Sequence, residues 1–143
     1  MPSRDATTHW TGSLTEGKGH VTLDSSNAGQ YDVSWPTRSG NPDGQTSPEE
    51  LIAAAHSACL AMSVAGALTR EGLTADSIDV SSEVTIDKVE DGFAITGVDV
   101  TLRASVPGID ADKFVALAQA ASKGCPVSKA LAGTTITLDA SLA

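Results

Sequence analysis

Residues 51–69, LIAAAHSACLAMSVAGALT, run for 19 positions without an Asp, Glu, Lys or Arg. Ser47 before this run suits a helix N-cap, Pro48 suits the first helical position, and Glu49 and Glu50 favour the positive end of the helix dipole. Glu50 stands three residues after Ser47, the spacing of a capping box. The helix is expected to run to about Arg70, with Gly72 as its stop. It would be roughly 35 Å long and apolar on nearly every face, so it must be surrounded. One sheet of one chain covers only one side of such a rod, so a homodimer is expected to bury the rest. The run also meets the length criterion for a membrane span. However, seven of its 19 residues are Ala, and His, Ser and Thr interrupt it. Burial inside protein is the expectation, with no membrane partner.

The segments around this helix read as short strands and two smaller helices. HWTGSLTEGKGHVTL gives two runs around the Gly-rich turn TEGKG, and QYDVSW gives a third. Residues 36–46, PTRSGNPDGQT, read as a loop. Residues 77–104 read as a hairpin with EDG at its turn, with Ile78, Val80, Val84 and Ile86 sharing one face. A second helix, capped by Asp110 and stopped by Gly124, leads at once into a short third helix, PVSKAL. TTITLDASL is the last strand. The order βββ–α–ββ–αα–β is an α+β fold, with antiparallel sheets packed around a long buried central helix, and residues 1–143 form a single domain. Aromatic residues are only 3% of the chain, so Ala, Val, Leu and Ile must build the core.

Nine basic and 18 acidic residues give a formal charge of −9, which disfavours nucleic acid as a partner. The first ten residues, MPSRDATTHW, contain no apolar stretch of the secretory kind, so the expected location is the cytoplasm. In a reducing compartment two cysteines are more often catalytic or metal-binding than a permanent staple. Cys59 and Cys125 are 66 positions apart in contrasting settings. They could be a structural disulfide, two metal ligands, two inert core residues or a working redox pair.

Cys125 lies between Gly124 and Pro126, where it can cap the short third helix. The positive end of a helix dipole favours a thiolate there, although a small residue that merely fits a cap is the blander reading. Cys59 lies about ten residues inside the long helix, where burial should raise its pKa. To react, it needs a cation from elsewhere. Arg38, just ahead of the helix, is the best placed by position, and Glu49 could hold it. A solvated Arg38 and a Glu49 that serves only the helix dipole are the alternatives.

SPEELIAAAHSACLAM, followed 66 residues later by KGCPVSKAL, resembles the osmotically inducible protein C (OsmC) and organic hydroperoxide resistance (Ohr) superfamily. VPGID, the GFAIT region and TITLDASL resemble its OsmC branch. The resemblance implies an intertwined α+β homodimer with its site at the subunit interface. It also implies a stress-defence thiol peroxidase acting on organic hydroperoxides, and less well on hydrogen peroxide, with no cofactor and no resident metal. By motif, Cys59 would be the peroxidatic thiol, Cys125 the resolving thiol, Glu49 the catalytic glutamate and Arg38 the arginine of the OsmC branch. In the Ohr branch the arginine comes from a Gly-rich N-terminal turn, where this chain has Lys18. Leu51, Ile52 and Met62 could line an apolar entrance, although core packing is the commoner role for such residues. The reductant would be a dithiol, a lipoyl protein among the candidates.

Two rival readings remain at this level. His56 and Cys59, at i and i+3, could bind zinc together with Cys125 and His9 or His20. The chain could also be a non-catalytic stress protein with inert thiols.

Overall fold

A computed structural model describes all 143 residues and contains six strands and four helices. The chain forms two compact units, residues 1–51 and residues 52–143.

The first unit holds a three-stranded antiparallel meander, β1 (Thr7–Thr11), β2 (Lys18–Thr22) and β3 (Gln30–Val33), in the order β1-β2-β3. Lys18 opens β2 opposite Thr11, so it belongs to a strand and not to the turn before it. A side chain at Gly19 would meet the Trp10 ring at 2.8 Å and Val33 at 2.6 Å. The glycine therefore lets the indole lie against the sheet. Val21 is the one buried apolar side chain in this unit, so its sheet has almost no core of its own.

A short helix, α1 (Trp35–Ser39), takes the end of the QYDVSW run read as strand and the start of the segment read as a loop. The Ser34 side chain accepts from the Thr37 N–H, and Pro36 fits the first turn. The Pro- and Gly-rich composition of residues 36–46 masked this Ser-led cap.

The long helix α2 is Pro48–Arg70, as expected. The Ser47 hydroxyl accepts from the Glu50 N–H at 3.1 Å, which is half of a capping box. The Glu50 carboxylate does not return to Ser47, and instead accepts the Thr46 hydroxyl at 2.5 Å.

In the second unit, β4 (Ser77–Val89) and β5 (Gly92–Ser105) form one long antiparallel hairpin. Glu90 and Asp91 make its turn, and a bulge interrupts the ladder at Thr85/Ile86. Helices α3 (Ala111–Gly124) and α4 (Pro126–Ala130) then cross over to β6 (Thr135–Leu142). β6 pairs with β5 in parallel, giving a mixed sheet of order β4-β5-β6. The sheet is therefore not wholly antiparallel: a strand reached through a helical crossover enters in the direction of the strand it left. The α+β class stands.

Buried His56, Leu60, Val64 and Leu68 make a four-residue-spaced stripe on α2. The three apolar members pack in one cluster with Val98, Val100, Leu102 and Phe114. Ala54, Ala55, Ala58, Met62 and Ala65 on the other faces of α2 are exposed, Met62 by 69%. One chain thus covers a single stripe of a rod that is apolar all round.

Leu60→Ala is expected to lower stability by about 2–5 kcal/mol, read as a lower urea midpoint. Removing the α3 cap with Asp110→Ala should cost only about 1 kcal/mol in the same measurement.

Candidate functional site

The sequence-predicted site residues form two pairs. The first lies in the first unit. Arg38 and Glu49 make a two-pronged ion pair, Nε to Oε2 at 3.1 Å and Nη2 to Oε1 at 2.7 Å. The Arg38 guanidinium lies 5.8 Å from the centroid of the Trp35 ring. α1 carries Arg38 in its last turn, and α2 carries Glu49 in its first. Glu49 is 7% exposed, whereas the Arg38 side chain keeps a third of its surface open. A planar guanidinium gripped on one edge in this way is fixed in direction while remaining accessible. Lys18 is exposed and makes no salt bridge.

The second pair is the dithiol, which lies wholly in the second unit. Cys59 sits at the margin of the buried stripe of α2, and Cys125 is fully buried at the junction of α3 and α4. Both are free thiols, and their sulfurs share a hydrogen bond of 2.9 Å. A disulfide is about 2.05 Å long, so closing one needs little movement. The junction that brings Cys125 here has a clear local cause. α3 ends as the Cys125 N–H returns to the carbonyl oxygens of Ala121 and Ser122, and Pro126 then starts α4.

The thiols are electrically unequal. Burial, and then the hydrogen bond with Cys125, raise the Cys59 pKa; the Val127 N–H and the Ser63 side chain oppose this only in part. Burial also works against a Cys125 thiolate. The hydrogen bond with Cys59, the N–H and hydroxyl of Ser128, and the Val127 N–H together outweigh it, so the Cys125 pKa falls. Cys125 occupies the N-cap position of α4 but makes no capping hydrogen bond of ordinary geometry, so the helix amides act on it as oriented dipoles.

His56 does not sit in a cluster of metal-ligating side chains. Its Nε2 lies 2.8 Å from Ser128 Oγ, and no group of three or more His, Cys, Asp or Glu side chains clusters as a metal site. His20 is on β2, where Asp32 and Gln30 hold its two ring nitrogens at 2.7 and 3.1 Å. The zinc reading that joined His56, Cys59, Cys125 and His9 or His20 therefore lacks a ligand cluster.

Sequence reasoning noted His56 but missed Ser128. The signal lay in spacing: Ser128 is three residues after Cys125, so a helix starting at Pro126 turns it back toward the thiol. Met62, a candidate for an apolar entrance, borders an open cleft of about 760 Å³ together with Ser63, Gly66, Leu73, Ile109 and Leu117.

Burial holds the His56 pKa below its usual 6.5. The unfolded chain therefore binds more protons here, and stability should fall as pH drops below about 6.5. Urea midpoints across pH 5–8 should show this slope as the difference between the parent chain and His56→Phe, because His20, raised by its hydrogen bond with Asp32, contributes the opposite sign in both.

Comparison with known proteins gives a consistent picture. Residues 40–139 match the model of the family described as OsmC-like protein. The chain is 44% identical over 131 residues to peroxiredoxin OsmC of Escherichia coli, covering 92% of this chain and 90% of that one. It is 35% identical over 104 residues to the organic hydroperoxide resistance protein of Xanthomonas axonopodis pv. citri, covering 71% of this chain and 70% of that one. The crystal structure of the organic hydroperoxide resistance protein OhrB of Bacillus subtilis superposes with a TM-score of 0.75 at 27% identity, over 95% of this chain and 97% of that one.

Proposed function

This chain belongs to the OsmC-like protein family, and from that premise we propose that it is a cytoplasmic thiol peroxidase that reduces organic hydroperoxides, and hydrogen peroxide less well. The observation that carries the proposal is the 2.9 Å approach of two free sulfurs.

In this reading the Cys59 thiolate attacks one peroxide oxygen and the O–O bond breaks. The alkoxide takes a proton and leaves as the alcohol, and Cys59 becomes a sulfenic acid. The Cys125 thiol condenses with it, forming the disulfide and releasing water. A dithiol then resets the pair by exchange and is itself oxidised to a disulfide; a dihydrolipoyl protein fits that role. The uneven pKa values of the two thiols explain why a cation is needed, since alone the pair puts its negative charge on Cys125. Arg38, aimed by Glu49, would shift that charge to Cys59 and stabilise the departing oxygen. Leu51, Ile52 and Met62 would give an alkyl substituent an apolar approach.

The working form is an intertwined homodimer of a single-domain chain, with its sites at the subunit interface. Two features support this. The exposed apolar faces of α2 need cover, and the first sheet, with Val21 as its only buried apolar side chain, needs a core from elsewhere. Alanine on the uncovered faces permits close helix approach.

Stopped-flow mixing with cumene or tert-butyl hydroperoxide should consume two thiols per chain faster than hydrogen peroxide does. Intact mass should then show one intramolecular disulfide. Cys59→Ser should abolish turnover, whereas Cys125→Ser should give a single oxidation followed by over-oxidation. Arg38→Met should slow the first step by about 100-fold or more. Thiols that stay reduced under dilute organic hydroperoxide would overturn the assignment. Light scattering should give the mass of two chains.

A further inference from the structure

His56 and Ser128 have no part in the chemistry described so far, yet they form a buried polar couple directly behind the dithiol. His56 is completely buried and Ser128 is 7% exposed. The other buried members of the α2 stripe are Leu60, Val64 and Leu68, so packing alone would favour an apolar side chain at position 56. His56 Nε2 lies 2.8 Å from Ser128 Oγ, and His56 Nδ1 has no partner. Orphaned buried N–H groups are rarer than orphaned acceptors, which assigns the ring proton to Nε2. His56 then donates to Ser128 Oγ, and the hydroxyl hydrogen of Ser128 is left to point elsewhere. Ser128 stands three residues after Cys125, in the first turn of the helix that Cys125 caps, and is among the groups that favour the Cys125 thiolate. Two side-chain pairs thus bridge α2 and the start of α4, His56 with Ser128 and Cys59 with Cys125.

We propose that His56 and Ser128 are positioning residues that aim a hydroxyl hydrogen at the Cys125 sulfur and so support it as the attacking sulfur in disulfide closure and the leaving sulfur in resetting. This rests on the peroxidase reading and deepens it at two steps. In disulfide formation, the Cys125 thiolate attacks the sulfur of the Cys59 sulfenic acid; the S–O bond breaks and the hydroxide leaves as water with the proton Cys125 gave up. In resetting, one thiolate of the dithiol attacks Cys59, the more exposed sulfur. The S–S bond breaks and Cys125 leaves as a thiolate on the Ser128 hydroxyl. The second thiol of the reductant then displaces Cys59 and leaves as a disulfide. Direction is thus built into the pair: Cys125 leaves when the reductant opens the S–S bond, and Cys59 leaves only when the mixed disulfide is resolved.

The test uses Ser128→Ala, Ser128→Thr and the double variant His56→Leu/Ser128→Ala. In Ser128→Ala, disulfide closure after the peroxide pulse should slow by roughly tenfold or more, the value of one hydrogen bond to a charged group. Ser128→Thr keeps the hydroxyl and should restore closure. In a Cys59→Ser background, thiolate absorbance should show Cys125 titrating about one pH unit higher without Ser128. The double variant replaces both polar partners, so its fold should survive even if Ser128→Ala, which strands His56, is unstable. A purely structural couple would let this variant close its disulfide at the parental rate. That result, or an unmoved Cys125 titration, would overturn the proposal. The titration needs no peroxide, so it judges Ser128 even if the unaltered chain fails to react with hydroperoxide, an outcome that would instead sink the peroxidase reading.

Discussion

The second unit is organised by the contact between one stripe of α2 and the mixed sheet, closed over by Phe114 of α3. The stripe recurs every four residues, so it drifts slowly around the helix and fixes its rotation. With Leu60, Val64 and Leu68 seated, His56 at the head of the stripe and Cys59 at its margin can face only one way, toward the α3–α4 junction. Deep packing thereby sets the direction of two polar groups. A site positioned by interlocked apolar side chains is held more tightly than one placed on a loop.

The electrostatics follow from that placement. Burial pushes up both the thiol near the start of a short helix and the thiol in the flank of a long apolar one. Local amides and the Ser128 hydroxyl rescue one of them, and the other has no comparable help nearby. The Arg38–Glu49 pair shows the complementary design: a guanidinium steered by a buried carboxylate and lying over an indole.

Much of this was legible in the residues. The 19 uncharged positions between Glu50 and Arg70 announce α2, Ser47 marks its start, and Asp110 and the Gly124–Cys125–Pro126 sequence mark the limits of α3 and α4. The approach of Cys59 to Cys125 could be expected from motif resemblance but not from spacing, because 66 residues of chain intervene and only tertiary packing fixes their meeting. The parallel entry of β6 was hidden because its sequence alternates in the same way in either direction. α1 was hidden because a five-residue helix is too short for any periodicity to show, and only its Ser34 cap betrays it. Ser128 was missed because its three-residue spacing from Cys125 gains meaning only once its buried histidine neighbour is seen.

The placement of the two sulfurs on separate helices has a mechanical side. Once joined, they would clasp α2 to α4 and close a loop spanning 66 positions, a constraint on the unfolded chain of roughly 4 kcal/mol. Each catalytic cycle would then alternate a clamped molecule with an unclamped one. The reductant would meet its substrate in the stiffer of the two states, and the oxidant in the looser.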